Sequence, residues 1–284
     1  MNKRNLLDNL GLWTFRIIAY SVVGAVAYIL LDIVVKGAPS IHWDFLSSPP
    51  RKSGAAGGIF PAILGTVYLT SGAMLVAFPL GMASAIYLSE YARQGRFTRA
   101  IRLAIITLSG VPSIVFGLFG LGLFVLFFGF GASILSGCLT LACMILPTII
   151  VASEEALRAV PQYLREGSLA LGAGPWQTIR KNVLPYAIPG MVTGSILGIG
   201  RAAGETAPIL LTAAAFYLPR LPKSALDPCM ALPYHLYVLA TQHPSADQVR
   251  PMQYGTAFTL VAIVLFFNVG AILLRAHFRK KYQW

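Results

Sequence analysis

AIPGMVTGSILGIGRAAGETAPILLTAA, residues 187–214, is apolar over a length that crosses a membrane as a helix, yet it carries Arg201 and Glu205 near its middle. At 1.5 Å per residue, Arg201 lies about 20 Å along a helix from Ile188, close to the centre of a ~30 Å hydrocarbon layer. Eight Leu, Ile or Val side chains between 188 and 213 favour insertion by roughly 0.3–0.6 kcal/mol each. A central arginine opposes it by about 2.5–3.5 kcal/mol, and the glutamate adds a similar term. The sums nearly cancel, so this helix is expected to sit against protein or a water-filled cavity.

The glycines of the same stretch give it a face. Gly190, Gly194, Gly198 and Ala202 recur every fourth residue and form a small-residue stripe along which a second helix can approach closely. Arg201 projects beside that stripe, and helical spacing puts Glu205 within its reach. Pro208 has no N–H for the carbonyl of Gly204, so a kink or local unwinding is expected just past Glu205. Two readings of the charges stand side by side. Either they form a structural ion pair that fixes helix register, or Arg201 meets an anion in transit while Glu205 holds the arginine in place. A guanidinium suits a tetrahedral oxyanion because its planar fork donates two parallel hydrogen bonds.

The rest of the chain supports a membrane setting. Of 284 residues, 56% are hydrophobic and 11% charged, and mean hydropathy is +0.70. Apolar runs at 13–35, 61–89, 103–128, 132–152, 187–214 and 254–275 predict an all-α, polytopic bundle of about six transmembrane helices. The first run is read as a retained helix, since no small-residue cleavage pattern follows it. Pro79, Pro112 and Pro147 are candidate kinks, and packing with neighbours accounts for them equally well.

The net charge of +12 is a topology signal. Of 22 Lys and Arg residues, three lie up to Arg16, four in EYARQGRFTRAIR, four between the fourth and fifth runs and four in the C-terminal tail. The intervening connections, 36–60 and 215–253, hold three each, and Arg201 completes the count. The positive-inside rule places both termini in the cytoplasm, and nucleic-acid binding has little support. Cys138 and Cys143 read as packing residues and Cys229 as part of the second outer connection. His42, His235, His243 and His277 are too scattered for a metal site. Asp32 and Asn268 read as interface and interhelical hydrogen-bonding residues.

No Gly-Lys dipeptide occurs, which excludes a G-x-x-x-x-G-K-[ST] phosphate loop, and H-E-x-x-H and G-x-S-x-G are also absent. GIGRAAG is spaced G-x-G-x-x-x-G, which does not fit a dinucleotide fingerprint.

The longest inward segment, about 153–187, is punctuated by Pro161, Gly172, Gly174, Pro175 and Pro185. Pro161 suits the start of one short helix, Gly172 its left-handed end, Pro175 the start of a second and Pro185 its stop. Leu164, Leu169, Leu171, Trp176 and Ile179 leave this hairpin rich in apolar surface, which points to a cytoplasmic partner.

EGSLALGAGPWQTIRKNVLP, residues 166–185, resembles the E-A-A-x3-G-x9-I-x-L-P signature of ABC-importer permeases. Glu166, Gly172, Leu184 and Pro185 hold the expected places, while Gly167, Ser168 and Asn182 depart from it. Together with GVPSIVFGLFGLG (110–122), RAAGETAPILLTAA (201–214) and ALPYHLYVLA (231–240), it makes the chain resemble the A-type permeases of phosphate-specific ABC importers over most of its length.

The resemblance implies that Arg201 and Glu205 serve substrate translocation, and that Glu166, Leu171, Gly172 and Ala173 belong to the element that couples to an ATPase. It also implies a domain order, with an N-terminal helix and first outer loop at 1–59 and a permease core at 60–284. Residence in a bacterial inner membrane follows, with lipid around the bundle and inorganic phosphate as cargo. The implied partners are a homologous C-type permease, an ATP-binding subunit dimer and an extracytoplasmic phosphate-binding protein. No cofactor is expected in this chain, which would be non-catalytic, with ATP and Mg used by the ATPase. Rival classes are an ion-coupled secondary carrier for an oxyanion, a permease for sulfate or molybdate, and a non-transporting membrane scaffold.

Overall fold

The computed structural model describes residues 3–51, 56–244 and 248–281. Lys52, counted above with the outer charges, lies outside the described residues, as do residues 1–2 and 282–284 at the two termini.

Among the described residues, five helices are long and apolar enough to span a membrane. They are built on α1 (Lys3–Gly37), α3 (Phe60–Ile86), α6 (Ile134–Arg158), α9 (Leu184–Gly204) and α12 (Arg250–Lys281). A short helix α2 (Trp43–Ser47) and a two-residue antiparallel pair, β1 (Pro50–Arg51) with β2 (Ala56–Gly57), lie between the first two. The apolar face of α1 stands clear of the rest of the chain. It meets α12 at one end, where a Cβ on Gly37 would lie 2.6 Å from the Tyr254 carbonyl oxygen. Asp32 pairs with Lys36 there at 2.6 Å, so its role is local to that end.

The expected third span, 103–128, is not one straight helix. α4 (Arg96–Ser109) stops at Gly110, and α5 (Ser113–Gly120), continued by a π-helical turn over Leu121–Phe127, leaves at 103° to it. The cause is local: Pro112 forces Val111 out of the helical region, and Gly110 offers no side-chain contacts to carry α4 further. α4 is amphipathic, with basic residues in its first half, whereas α5 is apolar throughout. Taken as one span, the bent pair brings the described bundle to the expected six. Pro79 and Pro147, by contrast, sit inside helices that run on through them.

α3, α6 and α9 form the centre, and small residues bring them together. A Cβ on Gly81 of α3 would lie 2.7 Å from Ile149 Cγ2 of α6, and one on Gly190 of α9 would lie 2.6 Å from Ala156 Cβ. Gly194 faces Ala152 more closely still, Gly198 faces Ile149, and Ala202 joins the Ile145–Ile149 cluster. The four-residue stripe therefore packs along α6 antiparallel, as its spacing predicts. Leu69, Ala73, Leu141, Met144 and Ile209 complete the core.

The chain leaves α9 at Gly204. Glu205 and Thr206 are non-helical, and α10 (Ala207–Thr212) follows. The interruption begins at Glu205, just before the expected place. The connection after α10 is not a simple outer loop. Cys229 to Leu232 thread back into the core, where the Leu232 N–H donates to Thr66 Oγ1 at 2.8 Å and Gly65 makes room for the Met230 carbonyl. α11 (Leu232–Thr241) follows, with His235 buried and stacked on Phe216 at 5.6 Å. Burial pushes the His235 imidazole down to about 4 and the Cys229 thiol up to about 12. Cys229 is thus a core residue.

Candidate functional site

Arg201 occupies the last turn of α9, where the unpaired carbonyls of a helix end favour a cation. Glu205 caps the helix in extended backbone, and its Oε1 lies 3.5 Å from Arg201 Nε. The pair is real, but it is made across a helix end instead of along one face. Its side chains are 35% and 19% exposed, so the arginine stands more open than the acid. Among the described residues the Arg201 guanidinium makes no hydrogen bond. Its fork can therefore receive two oxygens of an anion while Glu205 balances its charge from the Nε side.

Behind Glu205, Thr66, Thr70, Ala202, Ile209 and Pro233 enclose a cavity of about 10 Å³, the size of one water. The Thr70 hydroxyl is buried beside it with no partner among the described residues. Asn268 of α12 lies against Gly200, one residue before the arginine. Its Oδ1 finds no hydrogen-bond partner among the described residues, so the expected interhelical hydrogen bond through that atom is not formed.

The hairpin within 153–187 is the second candidate region. α7 (Gln162–Ala170) begins just after Pro161, its N-cap, and ends in a Schellman turn. The Gly172 N–H donates to the Leu169 carbonyl at 2.9 Å, and the Ala173 N–H to the Ser168 carbonyl at 3.2 Å. Gly172 holds φ +84°, as its left-handed role demands. This turn places Leu171 at the tip with 92% of its surface exposed, near exposed Leu169 and Trp176. Glu166 is exposed as well and Ala173 half-buried. Leu164 and Ile179 instead point inward. Leu164 packs on the cluster of Leu157, Val183 and Ala187, and Ile179 is 4% exposed.

Pro185 does not stop the second helix. α8 (Pro175–Thr178) passes through a π-helical turn, Ile179–Val183, into α9, so Pro175–Gly204 is one 30-residue helix. Pro185 falls within the first turn after that change of register, where a missing N–H costs least. Arg201 and the hairpin are therefore not brought together. They occupy the two ends of a single rod.

Several polar residues of this region are visible only in three dimensions. Arg165 of α7 grips Glu90, in the π-helical turn Tyr87–Tyr91 that ends α3, with Nη2–Oε1 at 2.8 Å and Nε–Oε2 at 3.2 Å. It also donates to the carbonyls of Leu157 and Val160 at 2.8 and 2.7 Å. Glu154 near the end of α6 accepts a hydrogen bond from Arg158 and forms an ion pair with Arg102, each at 2.7 Å. Asn182 donates to Ser168 Oγ at 2.8 Å, and that hydroxyl meets Thr178 Oγ1 at 2.9 Å. The two signature departures Ser168 and Asn182 thus satisfy each other. One signal was available in the sequence: Glu90 and Glu154 are the first acids after long apolar runs, beside which basic residues accumulate.

Residues 77–284 match the model of the family described as binding-protein-dependent transport system inner membrane component. The chain is 33% identical to the probable ABC transporter permease protein YqgI of Bacillus subtilis, with 98% of each chain covered. It is 39% identical to the phosphate transport system permease protein PstA 1 of Mycobacterium tuberculosis, covering 78% of this chain and 71% of that one. In fold it resembles a chain of the bacterial alginate ABC transporter, with a TM-score of 0.65 at 14% identity over 95% of this chain and 93% of that one.

Proposed function

The chain belongs to the family of binding-protein-dependent transport system inner membrane components, and on that premise we propose that it carries inorganic phosphate through the membrane as the A-type permease of an ATP-driven importer. It is a multi-pass inner-membrane subunit of an ABC importer, a class that works with an ATPase and an extracytoplasmic binding protein. In the proposed assembly it pairs with a homologous C-type permease and docks on an ATPase dimer, which binds ATP and Mg and does the catalysis. Phosphate arrives from a phosphate-binding protein, and both termini of this chain face the cytoplasm. Residues 60–284 form the permease core, and 1–59 add the peripheral helix.

The observation that carries the substrate reading is Arg201: a half-open guanidinium at a helix end, paired only through Nε at 3.5 Å. In the alternating-access cycle we assign to it, the fork takes two phosphate oxygens as the pathway opens first to one side and then to the other. Glu205 keeps the arginine oriented and offsets its charge once the anion has left. The exposed tip formed by Leu171, with Glu166, Gly172 and Ala173, seats in the ATPase. Relatives named for phosphate support the choice of cargo.

The test is uptake of labelled phosphate at micromolar concentration, in cells supplied with the partner subunits, comparing wild type with Arg201→Gln at matched membrane abundance. Uptake that needs ATPase activity, resists excess sulfate and disappears in Arg201→Gln is the expected result. Normal uptake by Arg201→Gln would make the arginine structural. Uptake that survives without ATPase activity and collapses with the ion gradient would overturn the importer reading in favour of a secondary carrier.

A further inference from the structure

The tip and the root of the cytoplasmic hairpin are built differently. At the tip, Leu171, Leu169 and Trp176 are exposed apolar side chains. At the root, the apolar cluster around Leu164 is flanked by polar, directional contacts that are largely shielded.

Within α7 the guanidinium of Arg165 uses four of its five N–H donors. It makes two bonds to the Glu90 carboxylate and one each to the Leu157 and Val160 carbonyls, and the two side chains are only 14% and 11% exposed. That arrangement joins α7 to the end of α3 and to the C-terminal end of α6. One turn further along the same face, Ser168 bonds Thr178 and Asn182, both on the helix that becomes α9, and Ser168 and Thr178 are buried. Leu164 packs beside them on the apolar cluster of Leu157, Val183 and Ala187.

A helix bracketed in this way to two different neighbours, the end of α3 through Glu90 and the start of the α9 rod through Thr178 and Asn182, resists rotation. Apolar packing alone lets a short helix roll, because dispersion contacts have little directional preference. A bidentate carboxylate–guanidinium pair holds both distance and plane. Without the brackets, a push on the tip would be absorbed by the Ala159–Pro161 and Leu171–Gly174 turns that flank α7.

We propose that Arg165 and Asn182 are positioning residues for energy coupling: with Glu90 and Ser168 they fix the attitude of the hairpin, so that displacement of its tip passes into α3, α6 and α9 together. The inference rests on the reading of the hairpin as the element that docks on the ATPase. It adds which residues of this chain make the docking productive.

The experiment uses the complete importer, with both permeases and the ATPase, reconstituted in lipid vesicles with the binding protein. ATP hydrolysis and labelled-phosphate entry are measured on the same preparation. ATP-dependent phosphate entry by the wild-type complex establishes the function itself, and its absence would count against that reading alone. With the wild type active, Arg165→Met is expected to keep hydrolysing ATP while phosphate imported per ATP falls about tenfold, a change typical of coupling between distant sites.

Asn182→Leu is expected to lower the same ratio to a lesser degree. Ser168→Ala combined with Asn182→Leu removes both ends of a bond already lost in Asn182→Leu and should lower the ratio less than additively. Glu90→Gln keeps an acceptor for Arg165 but loses the charge. It carries the prediction at smaller amplitude and decides the matter where Arg165→Met does not assemble. An unchanged ratio of phosphate to ATP in these variants, whether both rates hold or both fall in proportion, would reduce the brackets to structural contacts and overturn the proposal.

Discussion

Replacing Gly194 by alanine would put a methyl group where α6 already presents the Cβ of Ala152, closer than any ordinary carbon contact. The same substitution at Gly270 of α12 meets nothing within 4 Å. Both positions are helical, so each gains about 0.8–1 kcal/mol of helix propensity from the change. At Gly194 the gain is opposed by overpacking of about 1–3 kcal/mol, because α9 must back away from α6 along the whole stripe. The two variants should therefore differ in stability by about 1–3 kcal/mol, with Gly270→Ala the more stable. Thermal unfolding of the purified complex in mild detergent, followed by tryptophan fluorescence, reads the difference. Gly190→Ala, whose Cβ would lie 2.6 Å from Ala156 Cβ, should side with Gly194→Ala. If Gly194→Ala melts as high as Gly270→Ala, the close α6–α9 contact does not hold the bundle together and the small-residue account of its core fails.

Three further outcomes are expected. His235 titrates near 4 in the folded chain against an ordinary 6.5, so its neutral form contributes stability that is complete above about pH 6.5 and is lost, by about 3 kcal/mol, as pH falls towards 4. His235→Leu should flatten melting temperature across that window. Cys229, held as a thiol by burial, should resist maleimide at pH 7 in a Cys138→Ser/Cys143→Ser background and react fully once the protein is denatured in detergent. Glu154→Gln leaves Arg102 and Arg158 without their shared carboxylate. It should cost about 3 kcal/mol and lower the yield of assembled complex, with Glu154→Asp milder.

Much of the architecture was legible because it rests on short-range regularities. Apolar length marks a span, and glycine at every fourth residue marks a close helix contact, so the α9 stripe and its tight packing on another helix follow from 187–214 alone, though not that the partner is α6. The Schellman turn at Gly172 is equally local. Where the reading failed, the deciding physics was absent from a hydropathy window. The apolar run over 103–128 conceals a 103° bend, since a run of apolar residues carries no mark of a change of direction at Pro112. Pro185 looked like a stop because a π-helical turn that absorbs it has no compositional mark. Cys229 looked like a loop residue because the return of its segment into the core depends on vacancies at Gly65 and Thr66, far away in sequence. Arg201 and Glu205 were found as charges in an apolar stretch, whereas Glu90 and Arg165 are 75 positions apart and look like ordinary loop charges until the fold joins them.

The unbroken course of the helix from Pro175 to Gly204 has a mechanical consequence. Its tightest contact with α6, at Gly194, is a natural fulcrum. The arm from there to the hairpin is about 28 Å, and the arm to Arg201 about 10 Å, at 1.5 Å per residue. A rigid rod turning on that point would work as a reducing lever: about 3 Å of travel at the hairpin end becomes about 1 Å at the arginine, in the opposite sense and with correspondingly greater force. A stroke of that size is enough to make or break a hydrogen bond to a bound anion, and the interruption at Glu205 keeps it from dragging α10 along.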